Sequence, residues 1–454
     1  MDTVFFARTQ MGLSLAFHIV FAAFGVGLPL LLVLADYRAK KTGDVRYEVL
    51  AKRMAKGTAI LFAVGAVSGT VLSMELGLLW PELMRRFGEV IGPLFALEGF
   101  AFFTEAIFLG IYLYGRGKVS ERVHFFSGCI VAISGAASAG FVTVVNAFMN
   151  QPIPVLLEGD RAYLASPMSV LLSPSAPTQV LHVILSSYAA TAFVMCGIHA
   201  ALWLRGKERA FHVRALGVGL PVACAVGLLM PLSGDLSATH VARHQTWKLG
   251  AMEAHYETGP CAPLRIGGIP NDETREVSMV INLPCGLSLL AEKNPNAVVA
   301  GLDRVPRDEW PNVTRTHFAF QVMVGSGSVM ALVSLGLLIY RLRKKKFPED
   351  PRVMRLLVVI APLGVIAMEA GWLVTEWGRQ PYVVRGMLLT RDAATTSPHL
   401  GPRLMVFGAI YLFLAGTVVY LLRRLFLTEG SKDDQHPSAD ASDVDVHSST
   451  KGDT

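Results

Sequence analysis

The sequence predicts an all-α polytopic membrane protein, a bundle of about nine transmembrane helices with its N-terminus outside and its C-terminus inside. Three observations lead there. The 454 residues are 52% apolar and only 17% charged, with a mean hydropathy of +0.45, too apolar for an ordinary soluble domain. Nine windows reach the roughly 20 mainly apolar residues that a helical crossing needs: about 10–35, 57–80, 93–114, 125–148, 179–204, 213–232, 316–340, 355–376 and 404–425. Basic residues gather in alternate loops, which sets the orientation through the positive-inside rule.

The first basic cluster follows the first span and includes Arg38, Lys40, Lys41, Arg46, Lys52 and Arg53. Others follow the third span (Arg116, Lys118, Arg122), the fifth (Arg205, Lys207, Arg209, Arg214) and the seventh (Arg341 to Lys346). Loop 149–178 between them holds only Arg161, so the clustered loops are cytoplasmic. The net charge of +6 is thereby spent on topology, and no nucleic-acid partner is expected. MDTVFFARTQ lacks a basic n-region and a small-residue cleavage site, so the first span is expected to remain as an anchor.

Four regions result: helices one to six over 1–232, an outer loop over 233–315, helices seven to nine over 316–425, and a disordered cytoplasmic tail over 426–454. A loop as long as 233–315 is usually functional. Its charged start, HVARHQTWKLGAMEAHYET, suits a short helix. Cys261 and Cys285 both fall in this loop, on the oxidising side, where they either pair or stay free; Cys129, Cys196 and Cys224 lie in spans as packing residues.

Polar residues inside spans are the informative ones. The third span, PLFALEGFAFFTEAIFLGIYLY, carries Glu98 and Glu105. A carboxylate near the centre of a membrane helix costs roughly 2.5–3.5 kcal/mol and normally faces a partner, a cavity or a cofactor. Seven residues at 100° each bring Glu105 back to within about 20° of Glu98, so both look into one interior. His18 stands in the first span, His182 at the start of the fifth, Met323 in the seventh, and Glu369, Glu376 and Arg379 at the end of the eighth. Singly, each reads as a packing residue. Together, His18, Glu98, His182, Met323 and Glu376 share a depth near the outer ends of their helices. Histidine with methionine is the axial pair of a low-spin haem, and a haem that binds oxygen keeps one position open. His182 with Met323 fits the closed kind; His18, Glu98 and Glu376 offer ligands for open ones. No CxxCH occurs, so haem would be held non-covalently.

Five motifs in order, LEGFAFFTEA (97–106), VNAFMNQP (145–152), KLGAMEAHYET (248–258), FAFQVMV (318–324) and EAGWLVTEWGRQP (369–381), resemble subunit I of the cytochrome bd-type quinol oxidases, over roughly residues 1–425. The resemblance implies that His182 and Met323 ligate a low-spin haem b, and that His18, Glu98 and Glu376 ligate a high-spin haem b and a haem d, with Trp372 packed between haems. It implies that Lys248 and Glu253 engage quinol, that Glu105 lies on the proton route with Asn146 in its network, and that Arg8 and Arg379 hold haem propionates. It further implies a second large subunit, quinol, oxygen and lipid as partners, and a bacterial cytoplasmic membrane as the location; a small single-span subunit is left open. Three features depart from the best-known members: Gln321 in place of an arginine before the haem methionine, a Glu98 to Glu105 spacing one residue shorter, and a loop of the short type. Two other readings stand beside this one: an oxidase with haem b in place of haem d, and a proton-coupled transporter with acids at the bilayer midplane.

Overall fold

Helix boundaries follow capping chemistry. In the computed structural model, which describes residues 3–432 apart from Lys207, α1 (Thr3–Thr42) is followed by Gly43 at a φ of 66°, which ends it. Asp44 then accepts from the Arg46 amide at 3.1 Å and starts α2 (Val45–Leu79). Proline at the first position opens α3 (Pro81–Tyr114), and Ser120 caps α4 (Glu121–Asn150) through the Val123 amide. Next come α5 (Ala176–Leu204) and α6 (Arg209–His244). The long loop contributes α7 (Thr246–Glu253), a hairpin that pairs Leu264–Asn271 with Glu276–Leu283, and α8 (Gly286–Glu292). Cys261 and Cys285 form a disulfide at the open end of that hairpin, choosing the paired alternative.

Asn312 caps α9 (Val313–Lys344) by accepting from the Arg315 amide at 2.9 Å. The eighth span is broken into α10 (Pro351–Ile360) and α11 (Leu363–Trp377) at Pro362, which has no amide to continue the ladder. A short α12 (Thr390–Ala393) precedes α13 (Leu400–Lys432). Among the described residues, nine segments are long and apolar enough to cross a bilayer, one for each window.

Two expected boundaries move. The loop placed from 233 begins as three further turns of α6, and α13 runs past 425 to Lys432. Hydropathy marks where side chains stop being apolar, whereas a helix continues until its backbone bonds end, here with the Gln245 amide on Val241 O. The tail beyond Lys432 lies outside the described residues.

α1 is the hub, packed on α2, α4, α5 and α13, while α3 packs on α4 and α9 on α11. Its approach to α5 depends on Gly27, where a Cβ would stand 2.0 Å from Thr191 Oγ1. The helices thus close around a void that α1, α3, α5, α9 and α11 share.

Candidate functional site

That void is a cavity of about 1540 Å³, larger than the roughly 300–1,000 Å³ of a site for one drug-sized ligand. Every site residue singled out in the sequence lines it: Arg8 and His18 from α1, Glu98 and Glu105 from α3, Asn146 from α4, His182 from α5, Lys248 and Glu253 from α7, Met323 from α9, Trp372 and Glu376 from the end of α11, and Arg379 just beyond it.

Both histidines are oriented by a serine. His18 Nδ1 lies 3.0 Å from Ser68 Oγ, whose hydroxyl also reaches the Val64 carbonyl at 2.9 Å and the Gly65 carbonyl at 3.1 Å. With the Ser68 proton on either carbonyl, Ser68 accepts from His18 Nδ1–H and the lone pair stands on Nε2, the tautomer an iron ligand requires. His182 Nδ1 lies 2.7 Å from Ser233 Oγ. Space is reserved beside the ligands by glycine. A Cβ on Gly69 would come within 3.0 Å of His18 Cε1, and one on Gly371 within 2.9 Å of Met323 Sδ. Glu98 accepts from Ser138 at 2.9 Å, and Glu376 pairs with Arg379 at 2.5 Å. Among the described residues no three His, Cys, Asp or Glu side chains converge on one point. Ligands that arrive singly suit a metal whose remaining positions are filled by a porphyrin, so the residues present fit haem.

The long loop between α6 and α9 reaches the same cavity from one end of the bundle. Burial pushes the Lys248 ammonium down to about 7, with Arg379 adding to the effect. Its Nζ donates to Asn150 Oδ1, and its stem crosses Gly378, where a Cβ would sit 2.8 Å from Lys248 Cγ. Burial pushes the Glu253 carboxyl up to about 8 against the pull of Arg265, and its Oε2 has no hydrogen-bond partner among the described residues. Five residues apart on one helix, the two side chains leave α7 in different directions, Lys248 toward α4 and α11, Glu253 toward Arg265.

Sequence reasoning missed the supporting polar groups. Asn150 joins Lys248 to Asn146 at 3.1 Å, Asn146 bonds Gln179 at 3.2 Å and Thr375 at 3.3 Å, and Arg379 donates to Asn146 Oδ1 at 3.3 Å. The four-residue step from Asn146 to Asn150 in VNAFMNQP was the one signal available; isolated serines in apolar helices give none. Gln321 faces the hairpin, accepting from the Gly267 amide at 3.0 Å and donating to Arg265 O at 2.9 Å, so it ties α9 to the loop.

A helical membrane bundle with axial-type ligands and a titratable pair around one cavity defines a class, the membrane redox proteins that carry haem between helices. The chain belongs to the cytochrome bd terminal oxidase subunit I family, whose model matches residues 6–429. It is 35% identical, over 94% of its length and 97% of the relative's, to the Bacillus subtilis (strain 168) protein named "Putative cytochrome bd menaquinol oxidase subunit I". It is 29% identical, over 96% of both chains, to the cytochrome bd ubiquinol oxidase subunit 1 of the same strain. The bd oxidase structure from Geobacillus thermodenitrificans superposes with a TM-score of 0.88 at 38% identity, covering 94% of this chain and 98% of that one. The chain is thus a haem-binding membrane subunit of a quinol:oxygen oxidoreductase that works with a partner subunit, and the transporter reading falls.

Proposed function

We propose that this chain oxidises quinol at the outer face of a bacterial cytoplasmic membrane and reduces oxygen to water with protons taken from the cytoplasm. The observation that carries the reading is the convergence of ligand candidates, loop pair and intramembrane acids on one cavity. Haem bound there supplies one-electron steps between a two-electron donor and oxygen. We assign His182 and Met323 to a low-spin haem b, and His18, Glu98 and Glu376 to a high-spin haem b and a haem d, with Trp372 between them. Arg8 and Arg379 offer cations to the propionates.

Quinol releases two protons as it gives up its electrons. Glu253 is suited to take the hydroxyl proton, because burial gives its carboxylate a basicity near that of the medium. Lys248 holds a donor within the same cavity, kept in place by Asn150. Asn146 ties this donor to Arg379 and thus to Glu376. Glu105, on the same helix face as Glu98 and deeper, relays protons toward the oxygen-reducing end.

The alternating basic loops support an N-terminus outside and a C-terminus inside, with α7 and the hairpin outside. Releasing quinol protons there while consuming cytoplasmic ones stores about 2.3 kcal/mol per charge per 100 mV with no pump. The second large subunit completes the oxidase, and a small single-span subunit would sit on the exposed helix faces. Optical spectra of the purified complex test the reading. Low-spin haem b, high-spin haem b and a chlorin band are expected; a haem-free complex would overturn it, and haem without the chlorin band would replace haem d by haem b.

A further inference from the structure

α3 carries a third polar residue in step with its two glutamates. Tyr112 follows Glu105 by seven residues, as Glu105 follows Glu98, so all three lie on one stripe of the helix. Small residues of α4 keep that stripe open at matching steps. A Cβ on Gly135 would stand 3.2 Å from Glu105 Oε2, and one on Gly128 3.0 Å from Tyr112 Cε2. The cavity lining includes Glu105 but not Tyr112, which lies two turns, about 10 Å, farther toward the basic end.

At that end a buried group of side chains surrounds Tyr112. Asp36 of α1 is only 2% exposed; its Oδ1 accepts from Arg116 at 3.2 Å, and its Oδ2 lies 3.7 Å from Lys40 Nζ and 4.0 Å from His124 Nδ1. The His124 ring of α4 lies tilted 4.2 Å from the Tyr112 ring and places Nε2 3.0 Å from the Tyr112 carbonyl. A carbonyl only accepts, so Nε2 carries the hydrogen and the Nδ1 lone pair of the neutral ring faces Asp36. Asp36 Oδ2 and Glu105 Oε1 have no hydrogen-bond partner among the described residues, and Tyr112 Oη, without a well-formed one, faces the Arg116 guanidinium that also holds Asp36. Buried polar atoms without protein partners are where ordered water is held.

We propose that Tyr112, fed by Asp36 and His124, relays protons from the cytoplasmic end of α3 to Glu105. The proposal rests on Glu105 lying on the proton route and on the basic end being cytoplasmic. In the relay, Tyr112 Oη takes a proton from water on the Asp36 side as it gives its own to water on the Glu105 side. One O–H bond forms as another breaks, and the ring stays neutral throughout.

The test is proton uptake from the inner side when the reduced complex, in proteoliposomes, meets oxygen, followed with a pH indicator in light and heavy water. Tyr112→Phe keeps the ring against His124 and Gly128 but removes the hydroxyl. Uptake is expected to slow roughly tenfold, the cost of one lost hydrogen bond in a barrier, with a larger solvent isotope effect and unchanged haem spectra. Uptake at the wild-type rate would overturn the relay. If the phenylalanine variant does not assemble, Asp36→Asn carries the same expectation and the same refutation. Tyr114→Phe, at a side chain 75% exposed, is the control and is expected to change nothing. Glu105→Gln separates the two levels: blocked uptake there with normal uptake in Tyr112→Phe refutes only the relay, whereas normal uptake in Glu105→Gln removes the route itself.

Discussion

The two ends of the bundle treat buried charge differently. At the basic end, charged groups mostly find each other. Asp44 binds Arg46 and Arg214, each at 2.8 Å, and Asp36 and Glu48 share Arg116, each at 3.2 Å. In the cavity, Glu253 Oε2, Glu369 Oε1, Glu105 Oε1 and Arg379 Nε stand without partners among the described residues. A buried polar atom left unsatisfied costs about 1–3 kcal/mol, so a fold keeps such atoms where something else is to fill them. Paired charge builds the bundle, and unpaired charge equips it to react.

If that contrast holds, substitutions in the cavity remove chemistry, and substitutions of the paired loop charges outside the Asp36–Tyr112 group remove only stability. Met323→Leu has the largest expected effect: the low-spin haem signal and turnover with quinol disappear while the remaining haem bands persist. An unchanged spectrum would remove Met323 as a ligand. Glu253→Gln follows, with quinol oxidation reduced at least about a hundredfold, as loss of a general base implies, and haem content intact. Normal turnover would take Glu253 out of the quinol site.

The pH dependence comes next. Burial raises the Glu253 carboxyl to about 8, so the base is protonated below that pH and quinol oxidation should climb, by up to about tenfold per unit, until it levels above pH 8. The Glu253→Gln variant should lack that rise. Gly371→Ala is a finer probe. Its Cβ would meet Met323 Sδ at 2.9 Å, so redox titration should show a shifted low-spin potential with haem content retained. Smallest is Asp44→Ala, which removes the α2 cap and its two arginine contacts: about 1 kcal/mol of stability and a slightly lower Tm, with turnover unaffected. A large loss of turnover there would break the comparison.

Much of this was legible in the sequence, for identifiable reasons. An apolar window must be long enough to cross a bilayer, so the spans could be read from composition alone. A glutamate or histidine inside such a window is costly enough to signal a function. Ser68 and Ser233 were invisible because a serine in a membrane helix satisfies itself on its own backbone at little cost. Asn150 was passed over although it stands one turn from Asn146. Gln321 could be seen as a departure, but its bonds to Gly267 and Arg265 connect segments more than fifty residues apart.

By itself the sequence determined the number of spans, the residue types available as axial ligands, and the heptad stripe that puts Glu98, Glu105 and Tyr112 on one face of α3. These are local consequences of hydropathy and of a 3.6-residue turn. Only the tertiary structure decided that His18 and Glu376, more than 350 residues apart, open onto one cavity with Lys248 and Glu253. It also decided that Ser68 stands against His18 Nδ1 and that Gly371 leaves room for Met323. Such relations depend on which helix faces meet, and helix packing is set by side chains distant in the chain.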